Sequence, residues 1–102
     1  MANVKVIKLL SGEEIITRII SKDEDKHIHL ADDGHTILDR PRVIVAQPQQ
    51  DGSLGIGLIP YVAVDPEGTF KIKNSAIVGE AEKVREDLEK GYLQQTSGLQ
   101  LV

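Results

Sequence analysis

Residues 4–20, VKVIKLLSGEEIITRII, place two runs of aliphatic, largely β-branched residues on either side of the turn signal Ser11-Gly12. Such residues favour strands, so the stretch predicts two strands at the start of the chain. The 102-residue chain has one Phe, two Tyr and no Trp. This length allows one domain, and the composition predicts that its core is built from Val, Ile and Leu.

Further strand signals follow at close spacing. Asp33-Gly34 is a hairpin signal, Arg40-Pro41 interrupts a run, and Pro60 predicts a bulge, a bend or an edge because proline cannot donate to a ladder. The segments with strand character are His27–Leu30, Thr36–Leu38, Val43–Val45, Gly55–Val64 and Thr69–Val78. About five short strands separated by Gly and Pro turns predict a mainly all-β fold, a small barrel.

The apolar period changes at Glu80. Ala81, Val84, Leu88 and Tyr92 are spaced by three, four and four residues, as on one face of an amphipathic helix. Gly91 either ends this helix or lies inside it. We therefore predict a single domain over residues 1–102, with a barrel over about residues 3–79 and a C-terminal helix and tail over about residues 80–102.

Composition and charge exclude several classes of protein. The chain has no cysteine, which excludes disulfides and thiolate zinc sites. Met1–Lys5 is not typical of a signal peptide, and no apolar run approaches the roughly 20 residues of a membrane helix. We expect a cytoplasmic protein without membrane contact. The net charge of −4 argues against a dedicated duplex-DNA binder, whose affinity depends on phosphate contacts.

Local chemistry in the sequence is sparse. The serines lack a nucleophile-elbow context and the acidic residues cluster in turns and on the helix, so we expect no enzyme and no cofactor. His27 and His29 would share a strand face and could chelate a metal, but they lack a third fixed ligand, so a solvent-facing pair and no metal site is expected. Lys71 and Lys73 lie in Thr69–Gly79, a stretch without acidic residues. A cyclic oligomer would turn each lysine into a ring of positive charge.

Two motifs resemble those of the Sm-like (LSm) family, which includes the bacterial Hfq proteins. The first comprises Leu9–Gly12, Ile15, Thr17, Ile19, Asp23 and His27–Leu30, and the second is Ile72–Ile77. The chain is similar to short Sm-like proteins of marine phage type. It departs from the family pattern in that Thr17 replaces a glycine, His27 an asparagine and Lys73 an arginine. Lys26 stands where the family commonly has an apolar or aromatic residue.

The resemblance implies a strongly bent five-stranded antiparallel barrel of the SH3-like type. It also implies a cyclic homo-oligomer, closed by pairing the fourth strand of one copy with the fifth of the next. Its implied function is binding of single-stranded RNA, or DNA, in RNA or DNA processing. The implied nucleic-acid-binding residues are Asp23, Lys26, His27, Lys73 and Asn74. The alternative is a protein-interaction or scaffold ring in a phage-related complex, since the chain is acidic and its aromatics look structural.

Overall fold

The computed structural model describes residues 4–20 and 34–97. These residues form six strands, a short 3-10 turn over Asn74–Ala76 and one α-helix. The elements are β1 (Val4–Leu9), β2 (Glu14–Ile20), β3 (His35–Pro48), β4 (Leu54–Pro60), β5 (Thr69–Lys73), β6 (Ile77–Glu80) and α1 (Glu86–Thr96). The predicted fold class is confirmed: the protein is mainly antiparallel β-structure with a C-terminal helix.

β1 and β2 form a hairpin in the middle of the sheet, with β6 paired to β1 and β3 paired to β2. Their antiparallel register runs from Val4 opposite Arg18 to Lys8 opposite Glu14. The turn between them closes where the Gly12 N–H donates to the Leu9 carbonyl at 2.8 Å. Gly12 has a φ of +102°, which side-chain-bearing residues rarely adopt, and this explains the glycine after Ser11. The Ser11-Gly12 turn signal is therefore confirmed.

β3 is one long strand with a bend, where an interruption at Arg40-Pro41 was predicted. Ile16 pairs with Arg42 and Arg18 pairs with Asp39, so two residues of β3 lie opposite Thr17 alone. This is a β-bulge, and Arg40 has the positive φ of 53° within it. The proline does not end the strand because the bulge lets pairing with β2 resume on its other side.

β4 and β5 lie end to end along β3. Pro60 pairs with Arg42 and Thr69 pairs with Asp39, with the segment 61–68 looping out between them beside the bulge. β6 returns to pair with β1, which gives the sheet order β4-β3-β2-β1-β6 with β5 also on β3. The six strands thus correspond to five positions in the sheet. Pro60, at the end of an outer strand, matches the predicted edge position.

The sheet curls around a first core of aliphatic residues. Ile72 of β5 and Ile77 of β6 lie in the same buried cluster, although their strands pair with opposite sides of the β1–β3 unit. The other buried members are Ile7, Leu9, Ile15 and Leu38. This arrangement confirms the aliphatic core that was predicted from the scarcity of aromatics.

A second core lies between the outer face of the sheet and α1. Tyr92 is fully buried there with Val4 and Ile16, and Val84 and Leu88 pack against them. The helix begins at Glu86, not near residue 80, and Ala81 is exposed ahead of it. The Ala81 N–H instead donates to the Val6 carbonyl at 2.8 Å, so strand pairing with β1 continues to this residue. Gly91 lies inside the helix.

Candidate functional site

The predicted binding residues fall on two parts of the chain. Asp23, Lys26 and His27 lie outside the described residues, so their predicted role stays a prediction. The structure does show where their segment is attached. It leaves β2 after Ile20, which pairs with Ile37, and it joins β3 through Gly34. Both attachment points lie at the end of the sheet where β5 also ends.

Lys73 is an exposed side chain at the last position of β5. It lies directly opposite His35, the first residue of β3, in the antiparallel register. Residues directly opposite each other project from the same side of a sheet, with Cβ atoms about 5 Å apart. Lys73 and His35 therefore form an exposed pair beside the point where residues 21–33 join β3.

Asn74 has a different environment from that expected of a base-reading residue. It is only 5% exposed, and its side-chain oxygen accepts a hydrogen bond from the Thr36 hydroxyl at 2.5 Å. Its backbone N–H donates to the Gly34 carbonyl at 2.9 Å. Asn74 thus ties the 3-10 turn to the beginning of β3. The predicted contact with nucleic acid stays a prediction, while this structural role was not visible in the sequence.

The end of β5 and the two points at which residues 21–33 are attached therefore lie at one end of the sheet. The hydrogen bond from Asn74 to Gly34 joins the end of β5 directly to the residue that follows the segment carrying Asp23, Lys26 and His27. The motif spacing alone could not establish this backbone pairing. The binding site built from two loops stays a prediction.

The outer face of β5 is basic. Phe70 and Ile72 point to the first core, so Lys71 and Lys73 project outwards, and both are exposed. On β3 their opposite residues are Ile37 and His35. His35 was missed in the sequence because its position beside the lysines depends on the pairing of β3 with β5, which no local pattern specifies.

Two open grooves run along the outer strands. The first, of about 490 Å³, is bounded by four consecutive β5 residues, Phe70 to Lys73, and by the turn at Leu10. Consecutive residues point alternately to both faces, so this groove borders the edge of the strand. The second, of about 340 Å³, lies between Leu54–Ile56 on β4 and the start of α1. Within the described chain, β4 and β5 pair only with β3 and leave these edges open.

Apolar side chains are exposed beside these edges. Leu54 is 73% exposed, and Ile56 and Ile59 on β4 and Val78 on β6 are each more than 40% exposed. Tyr61 and Phe70 meet in a T-shaped contact in the first groove, with ring centroids 5.4 Å apart. Burial, with a smaller contribution from Glu13, raises the pKa of the Tyr61 hydroxyl, which stays protonated at neutral pH. Exposed apolar edges of this kind mark surfaces that associate.

Three arginines lie on the part of the outer sheet face that is next to the C-terminal end of α1. Arg42 is buried, and it donates to Pro66, Gln95 and Glu67. The Arg40 guanidinium donates to the Thr96 carbonyl, and Arg18 lies 3.7 Å from an Asp39 carboxylate oxygen. These cations are engaged by carboxylates and by carbonyls at the helix C-terminus, so they form a structural network and not an open anion site.

Comparison with protein-family models gives no matching family, and comparison with curated proteins gives no matching relative. Over residues 4–20 and 34–97, no group of three or more His, Asp or Glu side chains is placed to hold a metal ion. No helix in the described part of the chain is long and apolar enough to cross a membrane. The two open edges and the basic face of β5 are therefore the features of this chain from which a function can be inferred.

Proposed function

We propose that the protein is a non-enzymatic, cyclic homo-oligomer of Sm-like barrels that binds single-stranded nucleic acid, RNA in the first instance. The observation that supports it most is the junction of β5 with the beginning of β3. There the exposed Lys73 lies opposite His35, beside the attachment of the segment with Asp23, Lys26 and His27. Lysine can contact phosphate, and histidine can stack on an unpaired base.

Ring closure is supported by the open edges. The combined edge of β4 and β5 and the edge of β6 lie at opposite ends of the pairing order. Pairing one with the other on the next copy would use the open backbone groups of both edges and cover apolar side chains such as Ile56 and Val78. It would also repeat Lys73 around the symmetry axis, which concentrates positive charge in a chain whose net charge is −4.

The test of the ring is the mass of the particle by light scattering at micromolar concentration. We expect a closed oligomer for the wild type and smaller species for Ile56→Lys, because a lysine in the β4 groove opposes edge pairing. Gln94→Lys adds the same side chain at an exposed position near the end of α1, outside both grooves, and serves as the control. A wild-type monomer would contradict the ring.

The test of binding compares Lys73→Ala with Lys83→Ala on a short single-stranded RNA at low salt. Both residues are exposed, but Lys83 lies between β6 and α1, away from the junction. We expect Lys73→Ala to weaken binding and Lys83→Ala to leave it unchanged. Equal losses would indicate diffuse electrostatics. Absence of binding by the wild type would favour the alternative, a protein-interaction ring.

A further inference from the structure

We infer that the proposed nucleic-acid site continues from the junction onto the outer face of the sheet, where His35, Lys71 and Lys73 form a track for the phosphate backbone. This inference rests on the proposed function. It adds two residues, His35 and Lys71, and it gives the direction of the bound strand, which is along β5. The ligand class is an extended single strand whose successive phosphates follow β5.

The three side chains of the track lie next to one another on one face of the sheet. His35 and Lys73 are directly opposite each other, and Lys71 lies two residues back along β5 on the same face. Two residues of a strand span about 6.7 Å, so the two ammonium groups can engage successive phosphates of an extended strand. All three side chains are exposed, and the Thr69–Gly79 stretch contains no carboxylate.

The negative charge beside the track is already paired with arginines of the same chain. Within the described chain, the other ionisable groups on this face of β2 and β3 near the track are Asp39 and Arg18. The Asp39 carboxylate is held by two arginines, at 3.7 Å from Arg18 and 3.8 Å from Arg40. Its negative charge is thus compensated locally and does not cancel the lysines. Lys5, Lys8, Arg42 and Arg85, by contrast, each form an ion pair with a carboxylate.

The track is compatible with the proposed ring. Edge pairing uses the backbone groups of β5 that lie in the plane of the sheet, whereas the track uses side chains that project out of that plane. A neighbouring copy paired along β5 would therefore leave the track open. The apolar side chains of Ile20 and Ile37 lie opposite each other on this face and extend it beside the track, and they offer a surface to the sugar or base of a bound strand.

The experiment measures fluorescence anisotropy of a labelled oligouridylate of roughly 12 nucleotides, a length within the usual range of single-strand sites. The slope of log K against log salt is determined for the wild type, Lys71→Ala, His35→Ala and the control Lys83→Ala. For single strands each lost phosphate contact reduces the slope by about 0.7. We expect this reduction for Lys71→Ala and none for Lys83→Ala.

His35→Ala is compared with the wild type at a fixed low salt concentration. We expect the variant to bind the oligonucleotide more weakly, because histidine can stack on an unpaired base. The side chain is exposed, so His35→Ala should keep the wild-type free energy of unfolding. A loss of stability together with the loss of binding would overturn the role of His35 in the track.

The outcomes separate the inference from the proposed function. If Lys73→Ala weakens binding while Lys71→Ala retains the wild-type slope and His35→Ala retains the wild-type affinity, the track is wrong and the junction site stands. If the wild type does not bind the oligonucleotide, the proposed function itself fails. A polyglutamate peptide of equal charge is the comparison ligand. Binding of the peptide at least as tightly as the RNA, with loss on Lys71→Ala, would overturn the track in favour of an acidic protein partner.

Discussion

Two regions of the outer face of the sheet differ in whether another element covers them. Over β1, β2 and the second half of β3, the outer face is covered by α1, and its polar groups are hydrogen-bonded within the chain. Over β5 and the first half of β3, no described element covers the face, and Lys71, Lys73 and His35 are exposed. We call these the covered region and the open region.

The comparison shows which positively charged side chains stabilise the fold. Arg18, Arg40 and Arg42 of the covered region are held by carboxylates and carbonyls, so burying them costs less than burying an unpaired charge. Within residues 4–20 and 34–97, Lys71 and Lys73 of the open region are exposed and form no ion pair. The number of positive charges alone favours the arginines as a binding site. Because the arginines are engaged by groups of the same chain, the lysines are the better candidates.

The largest expected effect is that of removing the Tyr92 side chain at the centre of the covered region. Tyr92 is fully buried, its hydroxyl donates to the Asp39 carbonyl at 2.6 Å, and it accepts from the Arg18 N–H at 3.0 Å. Tyr92→Ala should reduce the free energy of unfolding by about 4 kcal/mol, measured by chemical denaturation at fixed protein concentration. Tyr92→Phe, which keeps the ring, should lose about 1–3 kcal/mol. A wild-type curve for Tyr92→Ala would mean that α1 is not part of the cooperative fold.

A smaller effect should follow from removing Arg42, whose side chain is 4% exposed. Arg42→Met keeps much of the apolar stem but leaves the Pro66 carbonyl without its donor, so we expect a loss of about 2 kcal/mol in the free energy of unfolding. Glu67 is 63% exposed and can be rehydrated, so Glu67→Gln should cost less than about 1 kcal/mol. Equal losses for the two variants would show that the ion pair, and not the carbonyl contacts, stabilises segment 61–68.

Acid should weaken the start of α1 slightly. A hydrogen bond from the Arg85 guanidinium holds the pKa of Asp87 below its ordinary value of 3.8. Because this carboxyl has a lower pKa in the folded chain than in the unfolded one, its contribution is present above pH 3.8 and is lost as the pH falls through the folded value. Arg85→Met should flatten the fall of the unfolding midpoint between roughly pH 5 and pH 2.5. An unchanged slope would contradict this assignment. Both side chains are exposed, so the effect should be small.

The sequence predicted those features that depend on local pattern. The β1–β2 hairpin, its Gly12 turn and the Leu88–Tyr92 face of the helix follow from periodicity and turn chemistry. The bulge at Arg40-Pro41 was not foreseen, because it depends on pairing with β2, where two residues face Thr17 alone. The helix start was misplaced because Ala81 bonds to β1 instead of continuing the apolar period.

The candidate site was predictable to the same extent and for the same reason. Lys73 was found from an acid-free stretch of sequence, which is a local signal. His35 and the burial of Asn74 were not found, because both depend on the register between β3 and β5. Register is a tertiary property, set by the bulge and by segment 61–68, and it determines which side chains share a face.

The smallest expected effect tests the open region directly. Lys71→Ala and Lys73→Ala should change the free energy of unfolding by less than about 0.5 kcal/mol, because both side chains are exposed and lie outside the two buried cores. The same variants should lower the affinity for single-stranded RNA.

Arg18→Ala is the matched comparison: it removes a cation from the covered region of the same face and should reduce the free energy of unfolding, since the Arg18 guanidinium donates to Thr96 and contacts Asp39. A loss of 1 kcal/mol or more for the lysine variants would mean that another part of the assembly covers them. The contrast between the two regions would then reflect two structural interfaces, and the lysines would no longer be available to a nucleic acid.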